Sequence, residues 1–341
     1  MANIIIVGAG AMSSAFSLPC IENNHQVLIV GSKFDDNLIN QINEKNNYHP
    51  RININLPNTI KFIKYKNILN AKFNKTDLLV IGTNSKGIEW SAEVLEKICD
   101  EKKLPPILLL TKGLNVYNNK FELLIDKLER ILLSKKFDNI NVSAIAGPCL
   151  ANELATKNHS SVVVTNKDLK TTEWIKKLIS TNYYHVYMSN DVKGVEVCAA
   201  IKNIFSMVIG SAKGLNNNTN EYLNTSAALF SQCIYEMEIF VSFLKGKKES
   251  VRGLAGIGDL HVSAAGGRNS LMGSFLGEGY LYSEVKEKKM KNITVEGAEL
   301  SFVIFELVKK HFTIKQIPLL LSMMESIVEN KKMKIRWEYF N

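Results

Sequence analysis

The sequence predicts an α/β protein with two domains, an N-terminal doubly wound parallel sheet and a C-terminal mainly α-helical domain. In the first half, short apolar runs alternate with helical stretches, which is the pattern of a parallel sheet. The apolar runs lie at residues 4–7, 26–30, 77–81, 106–110, 142–146 and 161–165. The intervening helical stretches include residues 90–100 and 119–133.

From about residue 191 the strand signals largely disappear and long helical stretches replace them. These stretches lie at residues 192–212, 224–244, 295–310 and 318–329. A chain of 341 residues is also long enough for two domains. We therefore assign residues 1–190 to the sheet domain and residues 191–341 to the helical domain.

A glycine turn follows the first apolar run. Gly8 and Gly10 come between this run and a helical stretch, whose free N–H groups and dipole would face an anion such as a pyrophosphate. This context predicts a Rossmann-like, dinucleotide-binding domain. Ser13 occupies the third glycine position, and its small side chain still permits close packing of helix on strand. A nucleotide-free α/β domain with a glycine-rich turn is the alternative.

The end of the second predicted strand bears on the choice of cofactor. Gly31, Ser32 and Lys33 follow it, and none of them offers a carboxylate to a ribose 2′-hydroxyl. Lys33 suits the 2′-phosphate of NADP, although a solvated turn lysine is the commoner case. Both NAD and NADP therefore stay open as the cofactor.

The composition excludes several other classes of protein. Hydrophobic residues make up 46% of the chain and charged residues 22%, as in an ordinary globular protein. The net charge of +9 is scattered and no nucleic-acid-binding motif accompanies it, so we expect no nucleic-acid partner. Five separated cysteines and six scattered histidines indicate reduced thiols and no metal site. With no signal peptide and no long uninterrupted apolar stretch, we expect a cytoplasmic protein without a membrane partner.

Lys202 lies in a helical stretch, residues 195–209, that has almost no polar face. A buried lysine is unfavourable unless it is paired or takes part in chemistry. Loss of water lowers the pKa of a lysine toward neutrality, where it serves as a general acid or base. The alternative is a side chain that extends its ammonium group to the surface.

A glycine-rich segment, residues 252–269, contains four polar residues of interest. The planar guanidinium of Arg268 suits a phosphate, and Asp259 suits an ammonium group or a substrate hydroxyl. Ser263 and Asn269 lie in the same segment. A glycine-rich surface loop with ordinary charges is the alternative.

Three further positions are predicted to lie at element ends. Lys112 and Gly147 follow predicted strands, so they share with Gly8 the carboxyl edge of the sheet, where such folds bind ligands. Glu296 opens a predicted helix, where a carboxylate interacts favourably with the helix dipole. Simple capping is therefore the alternative for Glu296.

Taken together, these motifs resemble, in order and spacing, the soluble glycerol-3-phosphate dehydrogenases that use NAD or NADP. The matching pieces cover nearly the whole chain: Gly8–Gly10, Thr111–Gly113, Ala146–Pro148, Ala200–Asn203, Gly256–Leu260, Gly267–Asn269 and Val295–Gly297. The chain departs from the usual pattern at Ser13, at Cys149, where serine is usual, and at Gly267, where serine is usual.

The resemblance implies reversible hydride transfer between a nicotinamide and C2 of glycerol 3-phosphate, with Lys202 as the general acid/base, assisted by Lys112 and Asp259. The implied substrate-binding residues are Lys112, Gly147, Cys149, Lys202, Asp259, Ser263, Arg268 and Asn269. The expected cofactor-binding residues are Gly8, Gly10, Ala11, Met12, Lys33, Lys112, Ala151, Arg268 and Glu296. The resemblance also implies a homodimer that acts in glycerophospholipid metabolism. A related two-domain hydroxy-acid dehydrogenase and a non-catalytic dinucleotide-binding protein are the alternatives.

Overall fold

The computed structural model describes residues 1–70, 75–99, 103–217 and 221–341, which fall into two compact units. The N-terminal unit consists of Met1–Lys112 and Leu124–Val192, and the helical unit of Gly113–Leu123 and Lys193–Asn341. Residues 113–123 lie inside the N-terminal domain that we assigned from the sequence, but the structure groups them with the helical unit. Lys112 is therefore the last residue of its segment in the N-terminal unit, and the next residue in the chain, Gly113, belongs to the helical unit.

The strands have the following bounds: β1 Asn3–Val7, β2 Gln26–Val30, β3 Tyr48–His49, β4 Ile54–Asn55, β5 Lys61–Ile63, β6 Leu78–Ile81, β7 Ile107–Leu109, β8 Leu114–Tyr117, β9 Lys120–Leu123, β10 Val142–Ala146, β11 Ser160–Thr165 and β12 Tyr184–Ser189. The helices have the following bounds: α1 Ala11–Glu22, α2 Asp36–Glu44, α3 Ile88–Ile98, α4 Leu124–Ser134, α5 Ala151–Ala155, α6 Leu169–Ile179, α7 Val192–Leu215, α8 Leu223–Phe243, α9 Lys248–Arg252, α10 Asp259–Ala265, α11 Arg268–Gly277, α12 Tyr282–Glu284, α13 Glu296–His311 and α14 Pro318–Val328.

Among the described residues, eight strands form one sheet in the order β5-β2-β1-β6-β7-β10-β11-β12. The first six strands in this order, β5, β2, β1, β6, β7 and β10, pair in parallel, which confirms the predicted doubly wound sheet. Strand β1 lies between β2 and β6, so the strand order reverses at its carboxyl end. A ligand crevice forms at such a switch point because the chain leaves the neighbouring strands toward opposite faces of the sheet.

The sheet departs from parallel pairing at one edge. Strand β11 runs antiparallel to β10, and β12 is parallel to β11. The connection between β10 and β11 contains only the five-residue helix α5. Such a helix rises about 7.5 Å, less than the roughly 17 Å length of a five-residue strand, so it does not carry the chain back along the sheet.

The apolar runs became strands because they are buried on both faces. The side chains of Ile4 to Val7 in β1 are almost completely inaccessible to solvent. The same core holds Val27 and Ile29 of β2 and Leu78 and Val80 of β6. Burial of this row fixes β1 in the middle of the sheet and therefore fixes the position of the glycines that follow it.

The hairpin β8–β9 corrects the predicted helix at residues 119–133. Helix α4 begins only at Leu124, and Asp100, the predicted end of the preceding helix, lies outside the described residues. Asn118 and Asn119 form the hairpin turn with φ values of 49° and 55°, a conformation that asparagine tolerates. Phe121 of β9 then packs edge-on against Phe240 of α8, with ring centroids 5.5 Å apart.

Helix α7, with 24 residues, is the longest of the described helices. Of the described helices, it is the one with the length and hydropathy of a membrane span, although we expected no such stretch from the sequence. Most of α7 is buried inside the protein, and buried core helices commonly have this composition. Its burial also removes Lys202 from solvent.

Candidate active site

The glycine turn, Gly8–Gly10, directly follows β1 at the switch point of the sheet. Gly8 has a φ of +104°, and a Cβ there would lie 3.2 Å from the backbone of Gly82. Gly10 is different, because a Cβ at this position would meet no atom within 4 Å. The turn is therefore tight on the side of β6 and open on the side of Gly10.

The first turn of helix α1 suits a pyrophosphate. Gly10 occupies the N-cap position, and no described side chain caps the helix. The first N–H groups of α1, including those of Ala11 and Met12, have no acceptor within the helix, so they are arranged to bind an anion. Together with the open space at Gly10, these donors fit a bound dinucleotide.

The third glycine position is occupied by Ser13 without loss of close packing. Ser13 is fully buried, and its Oγ donates a hydrogen bond to the carbonyl oxygen of Gly82 at 3.3 Å. A Cβ on Gly82 would lie only 2.0 Å from this Oγ. Gly82, at the end of β6, thus provides the space that the missing glycine would have provided.

Asp35 is a residue that the sequence analysis missed. Its Oδ2 accepts hydrogen bonds from the backbone N–H and the Oγ of Ser32, at 2.9 and 2.8 Å, and from the Ala9 N–H at 3.5 Å. The chain folds back after Lys33 and brings the Asp35 carboxylate to the glycine turn. The three residues that directly follow β2 in the sequence offer no such carboxylate. The Ser32-x-x-Asp35 spacing, typical of a local side-chain turn, was the available signal.

Lys112 and Gly147 lie near the carboxyl ends of neighbouring strands in the N-terminal unit. Lys112 is three residues beyond β7, and the preceding Thr111 donates through Oγ1 to the Thr83 carbonyl at 2.7 Å. Thr83 in turn faces Gly8, since its Cγ2 would lie 3.2 Å from a Cβ there. Gly147 follows β10 with a φ of +128°. The strand ends thus gather the predicted positions along one edge of the sheet.

The other predicted positions of the N-terminal unit are divided between this edge and the surface. Cys149 and Ala151 pack against the same apolar core as Met12 of α1. Lys33 is exposed, and its Nζ lies over the Phe34 ring, 5.1 Å from the centroid. The structure therefore places Cys149 and Ala151 against the apolar core that α1 also covers, and it leaves Lys33 in a surface turn.

In the helical unit, Lys202, Asp259 and Ser263 form a buried group that we call the Lys202 cluster. Lys202 is only 7% exposed and Asp259 only 3%. The Lys202 Nζ donates to Asp259 Oδ1 at 2.6 Å and to Ser263 Oγ at 2.5 Å. The side chain therefore does not extend to the surface, and its charge is balanced inside the protein.

The local backbone explains how α10 supplies both partners of Lys202. Asp259 begins the helix and Ser263 lies one turn later, so both side chains share one face. A π-helical turn, Leu254–Gly258, precedes the helix. A Cβ at Gly256 would lie 1.9 Å from the Val251 carbonyl oxygen, so only glycine permits this approach. The repeated glycines of the segment thus serve to position Asp259.

Three further contacts join three helices of the helical unit. Asn269 of α11 donates to Asn203 Oδ1 at 3.2 Å, and its own Oδ1 accepts from the Gly297 N–H at 2.9 Å. Arg268 forms an ion pair with Glu296, and both side chains are about half exposed. Asn203 and Gly297 were not predicted as site residues, although each directly follows one that was.

This arrangement can donate a proton and bind an anion. An ammonium group held by a carboxylate and a hydroxyl is a preorganised donor for an oxygen that gains negative charge. The exposed guanidinium of Arg268 can bind a phosphate while it keeps its contact with Glu296, because it has five N–H donors. Within the described residues, no group of three or more histidine, cysteine or acidic side chains is suited to hold a metal ion.

Two family models match the chain. The N-terminal model of NAD-dependent glycerol-3-phosphate dehydrogenase matches residues 3–172, and the C-terminal model matches residues 191–337. The chain is 29% identical to an NADP(+)-dependent glycerol-3-phosphate dehydrogenase of Archaeoglobus fulgidus, over 84% of this chain and 83% of that protein. It is 27% identical to a glycerol-3-phosphate dehydrogenase [NAD(P)+] of Bacillus pumilus, over 97% and 92%.

Solved structures have the same fold. A glycerol-3-phosphate dehydrogenase structure from Coxiella burnetii aligns with a TM-score of 0.80 at 24% identity, covering 97% of this chain and 96% of that one. One from Plasmodium falciparum aligns with a TM-score of 0.81 at 22% identity, covering 99% and 95%. The family models span both units, so this chain belongs to the NAD-dependent glycerol-3-phosphate dehydrogenase family.

Proposed function

We propose that this protein interconverts sn-glycerol 3-phosphate and dihydroxyacetone phosphate, with NAD or NADP as the hydride carrier. The observation that carries the proposal is the buried Lys202 cluster, in a chain whose N-terminal unit has the glycine turn of a dinucleotide site. The family models and the names of the relatives support the same reaction.

The residues of the N-terminal unit would hold the cofactor, which when bound supplies the hydride to C2 of the ketone or accepts it from the alcohol. The N–H groups of Ala11 and Met12 would bind its pyrophosphate, Gly8 forms the tight turn, and the open space at Gly10 would allow the close approach. Lys112, beside the Thr111–Thr83 contact, places a positive charge at the same edge. Each of these contacts binds and orients without taking part in bond breaking.

Lys202 performs the proton transfer in this mechanism. In the direction of ketone reduction, its Nζ donates a proton to the C2 oxygen as negative charge develops there. In the reverse direction Lys202 starts as the neutral amine, which accepts the proton of the C2 hydroxyl and becomes the ammonium group. Asp259 and Ser263 fix two of its N–H directions, which orients the ammonium group and stabilises its charge.

Arg268 binds the substrate phosphate in this account. Its guanidinium is about half exposed and lies at the start of α11, next to Asn269. Glu296 keeps the guanidinium in place through the ion pair. Phosphate binding at this point distinguishes the proposed substrate from a hydroxy acid that carries only a carboxylate.

Further aspects of the proposal concern the setting of the reaction. We expect a cytoplasmic homodimer that acts in glycerophospholipid metabolism, without nucleic-acid or membrane partners. The resemblance to the family supports the dimer and the metabolic role, and the scattered positive charge argues against a nucleic-acid surface. Light scattering after size exclusion measures the oligomeric state, and a mass of one chain would contradict the dimer.

The direct experiment follows the absorbance of reduced nicotinamide with purified protein and dihydroxyacetone phosphate. NADH and NADPH are supplied in separate reactions, and dihydroxyacetone without the phosphate is the matched control substrate. We expect oxidation of at least one cofactor with the phosphorylated ketone and little with the control. A folded protein that oxidises neither cofactor, or that prefers an unphosphorylated substrate, would overturn the proposal.

A further inference from the structure

We propose that Asp35 makes this protein prefer NAD over NADP, because its carboxylate accepts the 2′-hydroxyl of the adenine ribose and repels a 2′-phosphate. This inference rests on the proposed function only in assuming a nicotinamide cofactor. It narrows the choice that the sequence left open at Lys33.

The carboxylate of Asp35 points toward the glycine turn and away from its own helix. Asp35 occupies the N-cap position of α2, where an aspartate commonly accepts N–H groups of the first turn, yet its side chain makes no cap contact. Its Oδ2 instead accepts from Ser32 and from the N–H of Ala9, the residue between the two glycines. Among the residues that the structure describes, no donor contacts its Oδ1.

The backbone holds Asp35 in this position. The Asp35 N–H donates to the Ser32 carbonyl at 2.9 Å, and the Asp35 carbonyl accepts from the Ile39 N–H at 2.8 Å. Gly31 leaves room for the turn, because a Cβ there would lie 3.2 Å from the Asp35 Cβ and 2.4 Å from Ile39 Cδ1. The carboxylate is therefore preorganised before any ligand binds.

The adenine ribose is the part of the cofactor that this carboxylate would meet. In doubly wound dinucleotide domains, the ribose 2′-hydroxyl binds an acidic group beyond the second strand, while the pyrophosphate binds at the glycine turn. Asp35 connects these two places, since it follows β2 by five residues and contacts Ala9. A 2′-phosphate would bring like charge against it, whereas a hydroxyl would donate to it.

Lys33 is the competing determinant, because an ammonium group favours a 2′-phosphate. Its Nζ lies over the exposed ring of Phe34. An exposed lysine interacts with a phosphate through solvent-screened charge, whereas Asp35 is half-buried and fixed by three donors. On these grounds the fixed carboxylate decides the preference.

Calorimetric titration of the full chain with ADP-ribose and with its 2′-phosphorylated form tests the inference without turnover. We expect ADP-ribose to bind at least about tenfold more tightly, the size of one hydrogen bond to a charged group. Asp35→Asn should bring the two affinities within about threefold, mainly because the phosphorylated ligand binds more tightly. The amide oxygen can still accept from Ser32, so the turn should be preserved. Glu44→Gln is the matched control, because it removes one charge from the exposed far end of α2 and should leave the ratio unchanged.

The contrary results are equally specific. A wild-type preference for the phosphorylated ligand, abolished by Lys33→Ala, would overturn the inference and assign selectivity to Lys33. An unchanged ratio in Asp35→Asn would overturn it as well. Turnover of dihydroxyacetone phosphate is measured separately, so NADPH-selective turnover would leave the proposed function standing and remove only the role of Asp35. A preference for ADP-ribose in a protein without any turnover would support the role of Asp35 and contradict the proposed function.

Discussion

The glycine turn of the N-terminal unit and the Lys202 cluster of the helical unit are built in opposite ways. The turn offers backbone N–H groups and space where side chains are absent. The cluster consists of charged and polar side chains held out of solvent. A backbone site tolerates a small replacement such as Ser13, because Gly82 provides compensating space. A buried ion pair tolerates no such change, because each charge depends on its partner.

The largest effect is expected at Lys202. Lys202→Met should lower kcat by about a thousandfold, the range in which general acid–base catalysis contributes. Binding of NADH to the N-terminal unit should stay within about twofold, since the variant leaves the glycine turn intact. Lys213→Met, an exposed position on the same helix, is the matched control and should keep normal turnover.

The methionine variant also removes one member of a buried ion pair and leaves the Asp259 carboxylate in place, a change that destabilises a protein by about 3–5 kcal/mol. If Lys202→Met unfolds, the double variant Lys202→Met/Asp259→Asn removes the carboxylate charge as well and should fold with equally low activity. A folded double variant with substantial turnover would show that the Lys202 cluster only stabilises the fold. It would then not be the catalytic counterpart of the glycine turn.

Arg268 tests the part of the helical unit that is assigned to binding. Arg268→Ala should raise the KM for dihydroxyacetone phosphate by roughly 10- to 100-fold, because a hydrogen bond to a charged group is lost. The value of kcat should fall much less. Steady-state kinetics over a range of substrate concentrations separates the two parameters. An unchanged KM would remove Arg268 from the phosphate site.

Two glycine substitutions sharpen the description of the turn. Gly8→Ala should both destabilise the fold and weaken NADH binding by roughly tenfold, because a φ of +104° is unfavourable for alanine by about 1–2 kcal/mol. Gly10 has a φ of −69° and open space around it, so Gly10→Ala should fold normally and still weaken NADH binding. Thermal unfolding and NADH titration measure the two properties. Normal NADH affinity in Gly10→Ala would contradict the placement of the ligand.

Glu236 is a buried carboxylate with a different role from Asp259, and we expect the smallest effect on activity there. Glu236 of α8 accepts from the Leu319 and Leu320 N–H groups at the start of α14, at 2.9 and 2.8 Å. No cation among the described residues pairs with it. Burial raises the pKa of Glu236 from 4.5 to about 7.

The stability of the protein should depend on the protonation of Glu236. The folded state keeps this proton up to about pH 7, whereas the unfolded chain releases it near pH 4.5, so this contribution to stability decreases as pH rises between these values. The loss is on the order of 3 kcal/mol. Relative to wild type, Glu236→Gln should lose this part of the pH dependence and keep kcat nearly unchanged. Urea unfolding at several pH values measures it, and parallel pH profiles for both proteins would contradict the prediction.

The strands that the sequence predicted correctly are those buried on both faces. Strands such as β1 and β6 are continuous runs of apolar residues, because both of their faces are buried. The three-residue β5 and the partly exposed edge strand β12 carry no such signal. The direction of β11 depends on the path of the whole connection between β10 and β11. The local pattern of apolar residues in β11 carries no information about this path. The hairpin at Asn118 was visible in principle as two consecutive asparagines.

The site divides in the same way. The burial of Lys202 follows from the spacing of its helical neighbours, but its partners lie 57 and 61 residues further along the chain. The residues alone indicated an ammonium group or a substrate hydroxyl as the partner of Asp259, and the resemblance to a known family placed Asp259 and Ser263 in the same pocket as Lys202. Asp35 was missed because its position depends on the fold of a loop, and nothing in the sequence distinguished Glu236 from an exposed helical glutamate.

The most direct test of the account compares wild type, Lys202→Met and Lys213→Met in two measurements on the same preparations. One follows oxidation of NADH or NADPH by dihydroxyacetone phosphate, and the other measures cofactor binding by nicotinamide fluorescence. We predict that Lys202→Met alone loses turnover while all three proteins bind the cofactor equally. Near-normal turnover in Lys202→Met would contradict the central claim that the buried ammonium group transfers the proton.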